Sequence, residues 1–173
     1  MSNIRTYSPE NVTVNWGGKF NFTGFADGTF ITMTRSTPRT DVVVGAKGDN
    51  AITKSANYSG TVEVTLLQNS PTNEYLTYIM NVEDTSGELT RAPIEVIDPS
   101  GAVLSIAQRC HIQEPAPTTL GDGQNAKTWV FYTENLQYLA LPNGILNEQA
   151  VKNAAEIYGA IKGVSDTISG ISN

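Results

Sequence analysis

From Gly60 to Leu66 the chain alternates without a break. Val62, Val64 and Leu66 fall on one side, and Thr61, Glu63 and Thr65 on the other, because strand side chains point to opposite faces with period two. The pattern predicts a strand over 60–68 with one oily face on a core and one wet face toward water. The strand breaks at Ser70-Pro71. Ser is a good N-cap and Pro suits the first helical position, where its missing N–H costs nothing, so a helix is expected over 71–83. Tyr75, Ile79 and Val82 recur at i, i+4 and i+7 and give that helix an apolar stripe, which Leu76 and Met80 widen.

The same reading extends along the chain. Asn11 to Trp16 alternates as a short strand ended by Gly17-Gly18, Lys19 to Gly24 is extended, and Asp27-Gly28 signals a turn. Thr29 to Arg35 is a strand with Ile31 and Met33 opposite Phe30, Thr32 and Thr34. Between 39 and 59, Asp41–Val44 and Ala51–Thr53 flank the polar run Gly45–Asn50, which predicts a hairpin with a loose tip. That arm has few large residues to anchor it, so it is expected to pack against something other than its own domain. Ile94–Ile97 and Ala102–Ile112 flank Asp98-Pro-Ser-Gly101, a sequence suited to a type I turn. Pro115 to Gly123 is a loop, and Lys127–Leu139 is a long strand carrying Trp129, Phe131 and Tyr132. The expected core is Val62, Val64, Leu66, Tyr75, Ile79 and Trp129. No internal repeat is present.

After a turn at Pro142-Asn-Gly144 the pattern changes. Glu148 to Ile168 places Val151, Ala154, Ala155, Tyr158 and Ile161 at helical spacing. Gly159, Gly163 and Gly170 weaken such a helix by about 1 kcal/mol each relative to Ala. The chain is therefore expected to be α+β and mainly β, with a predominantly antiparallel sheet forming a sandwich or barrel. A domain over 1–144 would precede a helical appendage over 145–173.

Composition narrows the function. Of 173 residues only 16% are charged, and Thr, Ser, Asn and Gly fill the gap, a mix that favours strands and turns. A chain of this size buries roughly 70% of its unfolded surface, so a core needs no staples. The net charge of −6 comes with scattered Lys and Arg, which argues against gripping nucleic acid but not against nucleic acid passing without sticking. The single cysteine, Cys110, excludes an intrachain disulfide. Met1 to Thr13 holds no apolar run and no stretch approaches a membrane span, so cytoplasm is the default compartment. The Asn-x-Ser/Thr sequons at Asn11, Asn21 and Asn57 then carry no meaning.

Candidate chemistry is sparse. His111 follows Cys110 directly. Neighbours on a strand point to opposite faces, so the two cannot form a nucleophile–base pair. One Cys and one His do not make a zinc site. Asp27, Asp49 and Asp122 sit in loops without calcium-loop spacing and suit turns. Trp16-Gly-Gly18 and Gly121-Asp-Gly123 lack the features of a phosphate cradle. Glu63, Glu95 and Glu134 lie on expected strands with nothing to pair them. No enzyme activity, metal or cofactor is expected.

Asp27-Gly-Thr-Phe-Ile31, Val43 to Ala46, and the run from Ser59 through Leu76 together resemble the tail tube proteins of contractile-tailed bacteriophages. The likeness spans roughly residues 7 to 140, and its most specific part is the strand–helix run at 60–76. The resemblance implies a two-sheet β-sandwich closing into a barrel-like subunit with one flanking helix. Six subunits would form a ring whose inner sheets join into a continuous barrel. Rings would stack into a tube inside a contractile sheath, in the virion, and conduct DNA without binding it specifically. The implied partners are further copies in a homo-hexamer, the sheath protein and a tape-measure protein. Hcp proteins of type VI secretion share this architecture.

On this reading Thr61, Glu63, Thr65, Thr32 and Thr34 are lumen candidates. The 39–59 arm, with Val43, Lys47, Asp49 and Asn50, is the candidate inter-ring contact. The tail beyond Gly144 matches no part of the pattern. Competing readings are a tube initiator or Hcp-like secretion ring and, from a different class, a monomeric β-sandwich binding module or hydrolase.

Overall fold

The structure is a computed structural model that describes residues 6–100 and 103–140. Its strands are β1 (Thr13–Trp16), β2 (Phe20–Asn21), β3 (Ile31–Arg35), β4 (Thr40–Val44), β5 (Asn50–Lys54), β6 (Gly60–Leu67), β7 (Ala92–Asp98), β8 (Val103–Glu114), β9 (Ala126–Thr133) and β10 (Asn135–Ala140). One helix, α1 (Pro71–Ser86), follows β6. The mainly β, antiparallel class is the one observed, with α1 the single α-helix among the described residues. An eight-stranded sheet runs β2-β1-β7-β8-β9-β6-β3, with β10 also paired to β8, while β4 and β5 form a two-stranded sheet of their own. The segment expected to form a C-terminal helix, and the boundary at 144/145, lie outside the described residues.

Two compact units are distinguishable. The larger comprises Thr13–Val96 and Ser105–Tyr138. In the smaller, Ser8 N donates to Ser100 Oγ at 3.5 Å, and Asp98 Oδ1 accepts from Ser100 N at 2.9 Å to close the turn after β7.

The core of the larger unit is filled chiefly from the inward faces of β1, β6, β7 and β9. Val62, Val64 and Leu66 of β6, Trp129 and Phe131 of β9, Ile94 and Val96 of β7, and Val14 and Trp16 of β1 are all buried. Trp16 and Phe131 meet edge to face at 5.4 Å. Two strands separate β1 from β9 along the sheet, so this contact requires the sheet to curl over and close on its own apolar face.

The helix departs from the sequence expectation in one respect. Its stripe of Tyr75, Ile79 and Val82 is not the buried face: Tyr75 is 38% exposed, Val82 is exposed and Ile79 half-buried. The inward positions are Thr72, Asn73, Leu76 and Glu83. Polar side chains turn inward because the first turn of α1 is tied to backbone that has no ladder partner. Ser70 Oγ donates to Thr23 O at 2.6 Å and accepts from Thr72 N at 3.2 Å. Thr72 Oγ1 donates to Thr23 O and accepts from Thr23 N, both at 3.0 Å. Tyr75 is left at the rim, stacked on Phe20 at 3.7 Å. At the other end Gly87, in the left-handed region at φ 72°, closes the helix through a bond to Glu83 O. Glu83 Oε1 in turn accepts from Thr90 N at 2.8 Å, which explains a carboxylate turned inward.

Candidate functional site

The outward face of β6 becomes a broad surface through strand register. One row reads Thr34, Thr61, Tyr132, His111 across β3, β6, β9 and β8. The next reads Thr32, Glu63, Val130, Glu114. A third pairs Thr65 with Thr128, whose hydroxyls lie 3.1 Å apart. Thr32, Thr34 and Glu63 are exposed, and Thr61 and Thr65 half-buried. The structure therefore brings all five lumen candidates onto one face. It adds Thr128, Tyr132, His111 and Glu114, which the sequence alone did not place on this face because register between strands is not written in any one of them. These rows hold two carboxylates and no Lys or Arg, a surface that repels phosphate.

The reverse side of the same rows is apolar: Met33, Val62, Phe131 and Ile112 in one, Ile31, Val64 and Trp129 in the next. Asn73 of α1 fixes this layer in place. Its Oδ1 accepts from Trp129 Nε1 at 2.9 Å, and its Nδ2 donates to Leu67 O at 2.8 Å. Gly24 allows the β2–β3 connection to close on the helix cap. It sits at φ 70°, and a Cβ there would meet Ser70 Cβ and Oγ at 2.7 Å.

The β4–β5 hairpin is different. Thr40 pairs with Lys54, Val42 with Ile52 and Val44 with Asn50, and every residue of both strands is exposed. Val42 is 51% exposed, Val43 62% and Ile52 70%. Lys47 and Asp49 lie in the tip, where Gly45 N donates to Asp49 O at 2.7 Å, and Asn50 opens β5. The inter-ring candidates Val43, Lys47, Asp49 and Asn50 are thus together on an arm with no covering surface among the described residues.

A cleft at the foot of this arm was not anticipated. It is lined by Arg35, Arg39, Lys54, Tyr58 and Tyr138. A concentration of cations within twenty residues of an acidic chain was the available signal.

Among the described residues the candidate chemistry of the sequence does not come together. Burial pushes the Cys110 thiol up to about 11, so it stays protonated and unreactive near neutrality. His111 faces outward against Tyr132, with ring centroids 5.5 Å apart, while Cys110 is buried. Among the described residues no group of three His, Cys, Asp or Glu is placed to hold a metal. No helix among them is long and apolar enough to cross a membrane.

Comparison with known proteins decides the family. The sequence profile described as Bacteriophage PhiTE tail tube protein matches residues 4–140. The chain belongs to this tail tube family. The matched span contains the polar sheet face, the helix and the exposed arm. No curated protein matches the chain by sequence. Among solved structures, the anti-feeding prophage cap that terminates its tube shares 7% identity at a TM-score of 0.57, covering 81% of this chain and 95% of that one. The sheath/tube terminator of an extracellular contractile injection system, PVC, in its extended state shares 9% identity at a TM-score of 0.56, covering 78% and 97%. At these identities the likeness is one of fold. The tail tube family is a structural one rather than an enzyme family, and its members are parts of the virion.

Proposed function

We propose that this tail tube protein forms hexameric rings that stack into a tube within a contractile sheath, with the Thr61/Glu63/Thr65 face turned inward around a DNA-conducting channel. Thr32 and Thr34 extend that lining. Assembly takes place in the host cytoplasm, on a tape-measure protein, before the tail joins the virion. The observation that carries the reading is the four-strand polar face. It is acidic, lacks Lys and Arg in its rows, and is backed by a packed core. Such a wall stays hydrated and does not retain a polyanion. Joining sheets around a ring also covers strand edges that would otherwise invite aggregation.

The β4–β5 arm supplies the contact between rings. A lone two-stranded hairpin with valines and isoleucine exposed is marginal in water, so a second copy covering it fits its composition. A second reading, in which the protein caps the end of a tube, is favoured by the terminating role named for both solved structures of like fold. Electron microscopy of the purified protein separates the two. A tube subunit polymerises into long tubes, and a cap stops at single rings. A monomer at high concentration would exclude both.

A further inference from the structure

The cleft at the foot of the arm combines three cations with two aromatic rings. Arg35 is held rigidly there. Its Nε and Nη2 donate to Leu136 O at 3.2 and 2.9 Å. Its guanidinium lies 4.8 Å above the Tyr58 ring and 5.7 Å from that of Tyr138. Tyr138 is fixed in turn by donating to Met33 O at 2.9 Å. Arg39 and Lys54 flank the hairpin foot, which Ser55 N closes by donating to Arg39 O at 2.9 Å. Among the described residues the ion pairs are Arg91 and Arg109 with Glu134, and neither involves these three cations. A cationic cleft with one immobilised arginine and no ion-pair partner among the described residues, in a chain of net charge −6, calls for an anionic partner.

Strand register places this cleft at one end of the sheet, where Arg35 of β3 pairs with Gly60 of β6. At the opposite end, where Leu67 pairs with Ala126, the chain leaves β6 for α1 and enters β9 from the 115–125 loop. Exposed Glu74 lies in the first turn of α1 and exposed Asp122 in that loop, with half-buried Lys127 the one cation beside Glu74 in the groove there. The two ends differ in sign. The arm leaves the sheet at the basic end, so a copy that covers the arm also approaches the cleft.

We propose that the Arg35/Arg39/Lys54 cleft is the basic half of an end-to-end contact, receiving the Glu74 and Asp122 carboxylates of a second copy. This rests on the reading that the chain stacks into a tube. A head-to-tail contact uses two different surfaces of one molecule, and stacking requires that they complement each other. Arg35 is already immobilised, so little side-chain freedom is lost when a carboxylate docks. Opposite charges at the two ends also disfavour head-to-head pairing, which sets the polarity of the stack.

The test uses the full chain with Arg39→Glu and Lys54→Glu together, both at exposed positions, and a second protein that adds Glu74→Lys and Asp122→Lys. Unchanged thermal unfolding establishes that each variant folds. The double variant is expected to need about tenfold more protein than wild type to form tubes at low salt, and the quadruple variant to recover most of that loss. Added salt should raise the wild-type threshold. Folded double variant that assembles like wild type overturns the pairing. So does a quadruple variant no better than the double, or a variant whose only change is weaker binding of inorganic phosphate. Wild-type protein that forms no end-to-end assembly removes the tube reading as well, which distinguishes the two failures.

Discussion

The interior strand β6 and the β4–β5 hairpin use the same alphabet of Val, Thr, other small aliphatics and a few charges, yet reach opposite states. On β6 the alternation is resolved within the chain: Val62, Val64 and Leu66 are buried, and Glu63 on the reverse is exposed. On the hairpin the apolar residues are exposed on both faces. β6 has β9 on one side, β3 on the other and α1 tied to its end. Among the described residues the hairpin has only itself. A strand's pattern therefore states what it needs, and its neighbours state who supplies it. Among the described residues nothing supplies the hairpin's apolar side chains with a partner.

The comparison can be broken first at the core. Val64→Asp places an unpaired charge behind the polar face and should cost about 4 kcal/mol or more, enough to abolish cooperative unfolding in urea. Asn73→Ala comes next. It leaves the Trp129 N–H without a partner, while the Leu67 carbonyl keeps only its bond from Ser70 N at 3.0 Å, and should lower stability by about 2 kcal/mol in the same titration. Changing Val42 and Ile52 both to Ser should behave in the opposite sense. Stability should stay within about 0.5 kcal/mol of wild type, while tube formation seen by electron microscopy is lost. Equal loss of stability in the hairpin and core variants would erase the distinction between the two regions. Glu63→Lys is expected to have the smallest effect on the fold, also within about 0.5 kcal/mol. Its signature is that assembled tubes retain duplex DNA at low salt and release it as salt is raised.

Much of the fold is legible in the sequence because its signals are local. The alternation at 60–66 and the Ser70-Pro71 cap each depend on a few adjacent residues. The inward face of α1 was not legible. Tyr75 and Val82 have the right spacing for a core stripe, but the helix turns Thr72 inward to the Thr23 backbone and Asn73 to the Trp129 indole, partners 49 and 56 positions away in sequence. The polar face was half legible. Thr61, Glu63 and Thr65 follow from one strand, whereas His111, Glu114, Thr128 and Tyr132 join them only through register. The basic cleft needs the chain to return at Tyr138 beside Arg35, 103 positions later, which no local pattern encodes.

Cryo-electron microscopy of the purified protein will show whether it assembles and where its polar sheet face lies. Stacked rings are expected, in which the Glu63 side chain projects into a central hole and the β4–β5 arm lies against a second copy. A monomer that does not self-associate at high concentration, or a tube carrying the Thr61/Glu63/Thr65 face on its outside, would contradict this arrangement.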